Sequence, residues 1–364
     1  MDALAALLEP GGPFDLYFER YEFREPQVAM LKAVAEAFNH SKHLLIEAGT
    51  GTGKSLAYLI PSLAWAVQTG QRVVISSNTI NLQDQLFHKD LPDLHHILPF
   101  DFKATVMKGR SNYLCPRRLQ KLMSRPDLTT VEVSVLARIL LWLPFTETGD
   151  VSELTLVNAQ ERAVWQRVCS DPHTCSSVRC GMDAPQPCYF YKARNQAESA
   201  HLIIINHALL LSDIATEGGV LPEFHHLIVD EAHHLEGAAT NALTMSLDHA
   251  SFITKLRELA PSAGEIPTAG LLADVVTAVR QAHVPEDKTD GVIDFSRRLA
   301  AAIPNLDMQM AEFMDALDRF LMQHFGRQYD SALYDLRLRI TNSVRVQPAW
   351  VDVEIIWDHL DDTK

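Results

Sequence analysis

The sequence predicts an α/β fold: a parallel sheet covered by helices, interrupted by an inserted domain and followed by a helical one. Three observations carry this. In the N-terminal part, short continuous apolar runs alternate with helical stripes, as expected of strands buried on both faces by crossover helices. A glycine-rich stretch from Ala48 to Ser55 stands between such a run and a helix. Strand signals stop between Lys108 and Ala200 and resume at Leu202–Ile205 and Leu227–Val229.

The elements follow in order. Arg24–Phe38 has helical spacing, with Met30, Leu31, Val34 and Phe38 on one face. His43–Ile46 reads as a short buried strand, and the apolar helix Lys54–Val67 follows the glycine-rich turn. Arg72–Ser76 reads as a second buried strand and Leu82–Phe87 as a helix. The segment 108–200, rich in proline, cysteine and basic residues, reads as an insertion. Beyond Leu235 helical stripes dominate, and Leu306, Met310, Phe313, Leu317 and Phe320 recur at three- and four-residue steps. Pro261–Gly270 and His283–Gly291 read as loops.

Composition narrows the function. The 364 residues are 47% hydrophobic and 21% charged, which excludes a disordered chain. No apolar run is long enough to span a membrane, and no basic n-region opens the chain, so a cytoplasmic location is expected. The net charge of −14 argues against nucleic-acid binding when averaged, but the charge is uneven. From Phe102 to Arg125 there are seven basic residues and no acid, whereas Asp352–Asp362 is strongly acidic. Five cysteines, four of them between Cys169 and Cys188, do not suggest a disulfide framework. Their clustering suggests a metal or cluster site.

Ala48-Gly49-Thr50-Gly51-Thr52-Gly53-Lys54-Ser55 has the composition and setting of a phosphate-binding loop. Its glycines let backbone N–H groups approach phosphates, and the helix that follows adds positive potential at its N-terminus. Lys54 would contact the β- and γ-phosphates, and Ser55 would ligate Mg²⁺. Asp230-Glu231-Ala232-His233 follows an apolar strand, which places acids beside that loop in this class of sheet. Asp230 would hold Mg²⁺ and Glu231 would polarise the attacking water. His233 would couple hydrolysis to movement.

These segments, with Val74–Leu86, Lys108–Cys115 and Ile204–Leu211, resemble the DinG/XPD-type iron–sulfur DNA helicases of superfamily 2. The resemblance runs from about Tyr21 to Trp357. It implies a RecA-like motor domain over 1–107 and 201–240, an iron–sulfur domain over 108–200, and an incomplete helical arch-like domain over 241–364. It also implies ATP-driven 5′-to-3′ unwinding of DNA at single-strand/duplex junctions, in repair or replication. An upstream nucleotide-recognition motif would comprise Tyr21, Arg24 and Gln27, the glutamine amide suiting adenine. Thr79 and Gln83 fall in the segment that touches the DNA backbone in this family. No Ser-Ala-Thr motif follows DEAH, so the resemblance implies an absent second motor domain, supplied by the same or another chain. The rival reading is a non-motor module that binds single-stranded DNA and keeps only a nucleotide switch.

Cysteine spacing alone leaves zinc and iron–sulfur equally open. The resemblance points to a [4Fe–4S] cluster held by Cys115, Cys175, Cys180 and Cys188, with Cys169 spare. The basic stretch around it, including Lys108 and Arg110, would bind phosphates. Tyr113, with Tyr189, Phe190 and Tyr191, would stack unpaired bases.

Overall fold

The computed structural model describes residues 2–49, 51–171, 175, 180, 188–216, 218–244, 248–261, 269–282, 285–326 and 336–361. Two compact units divide the chain, Met1–Thr244 and Met245–Lys364.

The first unit is built on a parallel sheet of four strands: β1 (Val73–Ser77), β2 (Ala104–Val106), β3 (Leu202–Asn206) and β4 (His226–Val229), in the spatial order β2-β3-β1-β4. Val73 lies opposite both Leu202 and His226, which fixes the central register. Strand periodicity explains the continuous apolar runs. Val73, Ile75, Leu202 and Ile204 point to one face, where they pack with Leu31, Leu59, Ile60 and Leu63 of the Glu25–Asn39 and Lys54–Thr69 helices. Val74, Ile203 and Ile205 point to the other, against Phe190, Ala193 and Leu209 of the Tyr189–Glu198 and His207–Ala215 helices. Both faces of β1 and β3 are buried, so these two strands stay apolar until their C-terminal ends, where Ser76, Ser77 and Asn206 stand, with Asp230 just past the end of β4. Those ends are where open α/β sheets place ligands.

β2 and β3 are parallel neighbours, so everything from Met107 to His201 is one long crossover between them. Its helices Pro116–Met123, Thr130–Trp142 and Ala159–Val168 enclose a separate core of Leu114, Leu119, Leu136, Ile139, Trp165 and Val168. Isolated antiparallel bridges, Tyr113 with Asp150 and Leu114 with Cys169, tie it together.

The second unit is helical among its described residues. The stripe on Glu286–Phe325 buries Met310, Phe313 and Phe320 against Val344 and Val353, the latter from Pro348–Asp361. Ala260, Leu272 and Ala300 form a smaller core. No described helix is long and apolar enough to cross a membrane.

Three sequence expectations are corrected. His43–Ile46 is not a strand: it pairs with no neighbour in the sheet, and Leu44 and Leu45 are 45% and 92% exposed. β2 is a strand the sequence reading missed. Glu286–Gly291, expected as loop, begins the long helix instead. Pro285 precedes it and Glu286 and Asp287 occupy its first turn, where acids complement the helix dipole. Of the other expected loop, 262–268 lie outside the described residues.

Candidate functional site

The glycine-rich turn delivers its residues onto the N-terminus of the Lys54–Thr69 helix. Gly51 and Gly53 have φ of 80° and 78°, a left-handed conformation that side chains resist. At Gly53 even a Cβ would collide with the Gln27 amide. Thr52 Oγ1 donates to the Gly49 carbonyl at 2.9 Å, closing the turn on itself. Thr50 lies outside the described residues.

Lys54 Nζ reaches across to Glu231 Oε1 at 3.1 Å. This hydrogen bond is the main influence holding the Glu231 carboxyl below its usual range. Glu231 itself has φ of 53°, one of two described non-glycine residues with positive φ. Its neighbour Asp230 is fixed at both oxygens. Oδ1 accepts from the Glu231 N–H at 3.1 Å and Oδ2 from the Tyr58 hydroxyl at 3.1 Å. Burial is the chief cause that raises the Asp230 carboxyl above its ordinary value, and the Tyr58 hydrogen bond opposes it. His233 is exposed, with Nδ1 3.5 Å from Glu231 Oε2.

The upstream residues brace the loop from behind. Gln27 is buried, and its Nε2 donates to the Gly53 carbonyl at 3.0 Å. Arg24 donates to the Gly51 carbonyl and pairs with Glu22 at 2.9 Å. The Tyr21 hydroxyl is turned to the Leu8 carbonyl at 2.6 Å. Beside the loop a cleft of about 440 Å³ is lined by Pro26, Met30, Ile46, Ala48, Gly49 and Thr52. Its apolar walls and backbone rim suit a flat heterocycle.

The expected DNA-facing residues are placed less favourably. Thr79 is exposed and caps the Ile80–Gln85 helix, its Oγ1 accepting from the Leu82 N–H at 3.3 Å. Gln83 is fully buried, both amide atoms without a partner. Lys108 is buried in an ion pair with Asp150 at 2.6 Å. Tyr113 is 3% exposed and accepts from the Lys108 N–H at 3.0 Å. Arg110 lies over the Phe190 ring, 4.0 Å from its centroid. Gln83, Lys108 and Tyr113 are thus turned into the fold, and Thr79 lies at the surface.

Cys115 and Cys188 stand at the N-termini of the Pro116–Met123 and Tyr189–Glu198 helices. Both are buried with Cys180, and Cys175 is half-buried. Cys175 feels the charge of Cys115 and Cys180, and Cys188 that of Cys180 and Cys175, so the four thiols share one neighbourhood. Burial is the main cause that raises both thiols. Cys169 is buried too and also feels the charge of Cys115, with its Sγ 3.5 Å from the Gln166 carbonyl. Among the described residues no group of three or more Cys, His, Asp or Glu side chains is arranged to hold a metal ion. The donor chemistry fits a thiophilic group, whereas the described geometry is not a closed coordination site.

One participant escaped the sequence reading. Tyr58 follows Lys54 by four residues and Ser55 by three, a helical spacing that placed it on their face. His207, in the Ile204–Leu211 segment, is 1% exposed, with Nδ1 2.7 Å from Ser76 Oγ.

Comparison with known proteins finds helicase families. Residues 25–157 match the DEAD/DEAH box helicase family and residues 158–252 the DEAD_2 family. The chain is 35% identical over 267 residues to the 3'-5' exonuclease DinG of Bacillus subtilis (strain 168), covering 73% of this chain and 28% of that protein. It is 34% identical over 255 residues to the ATP-dependent DNA helicase YoaA of Escherichia coli (strain K12), covering 69% of this chain and 39% of that one. The matched part is thus well under half the length of these relatives. An XPD helicase structure overlaps with a TM-score of 0.35 at 14% identity, covering 79% of this chain and 50% of that chain, too slight a likeness to bear on the architecture.

Proposed function

The chain belongs to the DinG/XPD-type helicases of superfamily 2, and from that footing we propose that it forms the nucleotide-binding lobe of an ATP-dependent DNA helicase. The observation that carries this is the meeting of Lys54 with Glu231 at 3.1 Å, above an Asp230 carboxylate pinned at the end of β4. The phosphate loop, a cation and two acids are the parts that nucleoside-triphosphate hydrolysis needs.

Lys54 is paired with Glu231. An arriving phosphate competes for the ammonium, and transfer of Lys54 to the phosphate frees Glu231 to orient and deprotonate water. Gln27 and Arg24 keep the loop carbonyls engaged, so its N–H groups stay turned toward the anion. Mg²⁺, when bound, would neutralise phosphate charge, and Ser55 and Asp230 are the residues here that would hold it. His233, against Glu231, is placed to sense the state of that acid. The adenine would enter the cleft walled by Pro26, Met30 and Ile46. The thiols of Cys115, Cys175, Cys180 and Cys188 would hold a [4Fe–4S] cluster, which would stiffen the long crossover as an obstacle at a duplex junction. We assign the polarity 5′ to 3′, the substrate single-stranded DNA and junctions in repair or replication, and the location cytoplasmic. A second motor lobe, in the same or another chain, would complete the ATP site.

Two variants separate the roles. Lys54→Ala should weaken Mg-ATP binding at least tenfold, because the side-chain cation of the loop is lost. Glu231→Gln should abolish hydrolysis yet bind Mg-ATP as well as the parent or up to about fivefold more tightly. That gain is what release of Lys54 from a partly exposed ion pair is worth. Equal loss of binding in both variants would reject these assignments.

Anaerobic purification tests the thiols. The protein should be brown, with iron and sulfide in near-equal amounts and little zinc. Serine at any of the four positions should bleach it, whereas Cys169→Ser should not. A colourless protein with one zinc per chain would refute the cluster.

A further inference from the structure

The Lys54–Thr69 helix carries a buried tyrosine that the scheme above does not use. Tyr58 is 3% exposed, and its ring packs in the core between helix and sheet. A phenol so placed must give its proton to something, and a backbone carbonyl would serve stability alone. Instead it donates to Asp230 Oδ2 at 3.1 Å, across 172 positions of sequence. That carboxylate is one of the two side chains assigned above to Mg²⁺, so a single phenol oxygen holds a ligand of the metal.

The consequence is geometric. Asp230 stands just past the end of β4 and Tyr58 on the helix that follows the phosphate loop, so the bond ties the acid to that helix. A carboxylate is otherwise free to turn about its Cβ–Cγ bond. With Oδ1 fixed by the Glu231 N–H and Oδ2 by Tyr58, that rotation is stopped. We propose that Tyr58 is the positioning residue for the Asp230 carboxylate, its hydroxyl holding that Mg²⁺ ligand in place before metal and nucleotide arrive. The inference rests on the nucleotide reading given above.

Tyr58→Phe removes the hydroxyl and keeps the ring. Binding of a fluorescent ADP is titrated with Mg²⁺ in parent and variant, and measured again in EDTA. The Mg²⁺ concentration at half-saturation should rise about tenfold in the variant, the scale of a lost hydrogen bond to a charged group. Affinity in EDTA should be unchanged, which also reports that the variant is folded. An unchanged Mg²⁺ requirement overturns the proposal. So does equal weakening with and without Mg²⁺, because that is the mark of ring packing. If the parent itself shows no Mg²⁺-dependent binding, the nucleotide reading fails and this inference falls with it.

Discussion

Asp90 shows how a single carboxyl can work against the fold that contains it. It ends the π-helical turn Leu86–Asp90, and its Oδ2 is buried without a hydrogen-bond partner. Burial, reinforced by the charge of Asp93, pushes it up to about 6. An acid whose folded-state value is raised binds its proton more tightly when folded. Its contribution to stability is therefore complete below the ordinary carboxylate range and is lost as pH climbs through about 6. Asp90→Asn should accordingly raise stability at pH 7.5 by about 1–2 kcal/mol, with the gain shrinking toward zero near pH 4. Thermal unfolding of both proteins at several pH values reads this directly. A gain that is independent of pH would show that charge burial is not its cause. Glu231 presents the opposite case: a left-handed φ of 53° is retained at the acid the mechanism needs most. Strain of that kind persists where surrounding contacts fix it, here the Lys54 pair and the Asp230 carboxylate.

Among the elements, Glu132 joins two helices of the long crossover. It completes a capping box with Thr129 at the start of Thr130–Trp142 and also pairs with Arg167 of Ala159–Val168. Its side chain is 5% exposed, so removal takes one buried carboxylate from Arg125, Arg167 and the Thr129 N–H together. Glu132→Ala should cost about 2–3 kcal/mol of stability, more than capping alone supplies. A chemical denaturation midpoint unchanged from the parent would contradict this. Elements whose apolar pattern agrees with their surroundings were legible in the sequence: Glu25–Asn39 from its stripe, and β1, β3 and β4 from their continuous runs. β2 was not, because Ala104-Thr105-Val106 is too short to show a period and lies in a basic stretch. His43–Ile46 misled for the converse reason, since an apolar run is only a strand when a neighbour takes up its backbone. In the site, motif residues were readable because loop geometry fixes their spacing. The Tyr58–Asp230 and His207–Ser76 pairs were not, because their partners are separated by 172 and 131 positions.

At the scale of the molecule, charge that looks available in sequence is largely spent inside. Among the cations between Phe102 and Arg125, Lys108 pairs with Asp150, Arg110 with Phe190, Arg118 with three backbone carbonyls, and Arg125 with Asp127. That run builds the crossover more than it coats a surface. The functional parts are also unevenly divided. Every described residue of the phosphate loop, its braces, both acids, Tyr58 and all five cysteines lies within Met1–Thr244. The same unit holds three hydrophobic cores of its own, on the two faces of the sheet and inside the crossover. Met245–Lys364 has separate cores and contributes none of these residues. A unit with its own cores and all of these residues should fold and bind nucleotide by itself. Residues 1–244, expressed alone, should therefore unfold cooperatively and bind Mg-ADP within about threefold of the full chain, a difference under 1 kcal/mol. Calorimetric binding of Mg-ADP to the two proteins is the measurement. A soluble, cooperatively folded 1–244 that binds tenfold or more weakly would show that the helical unit completes the nucleotide site.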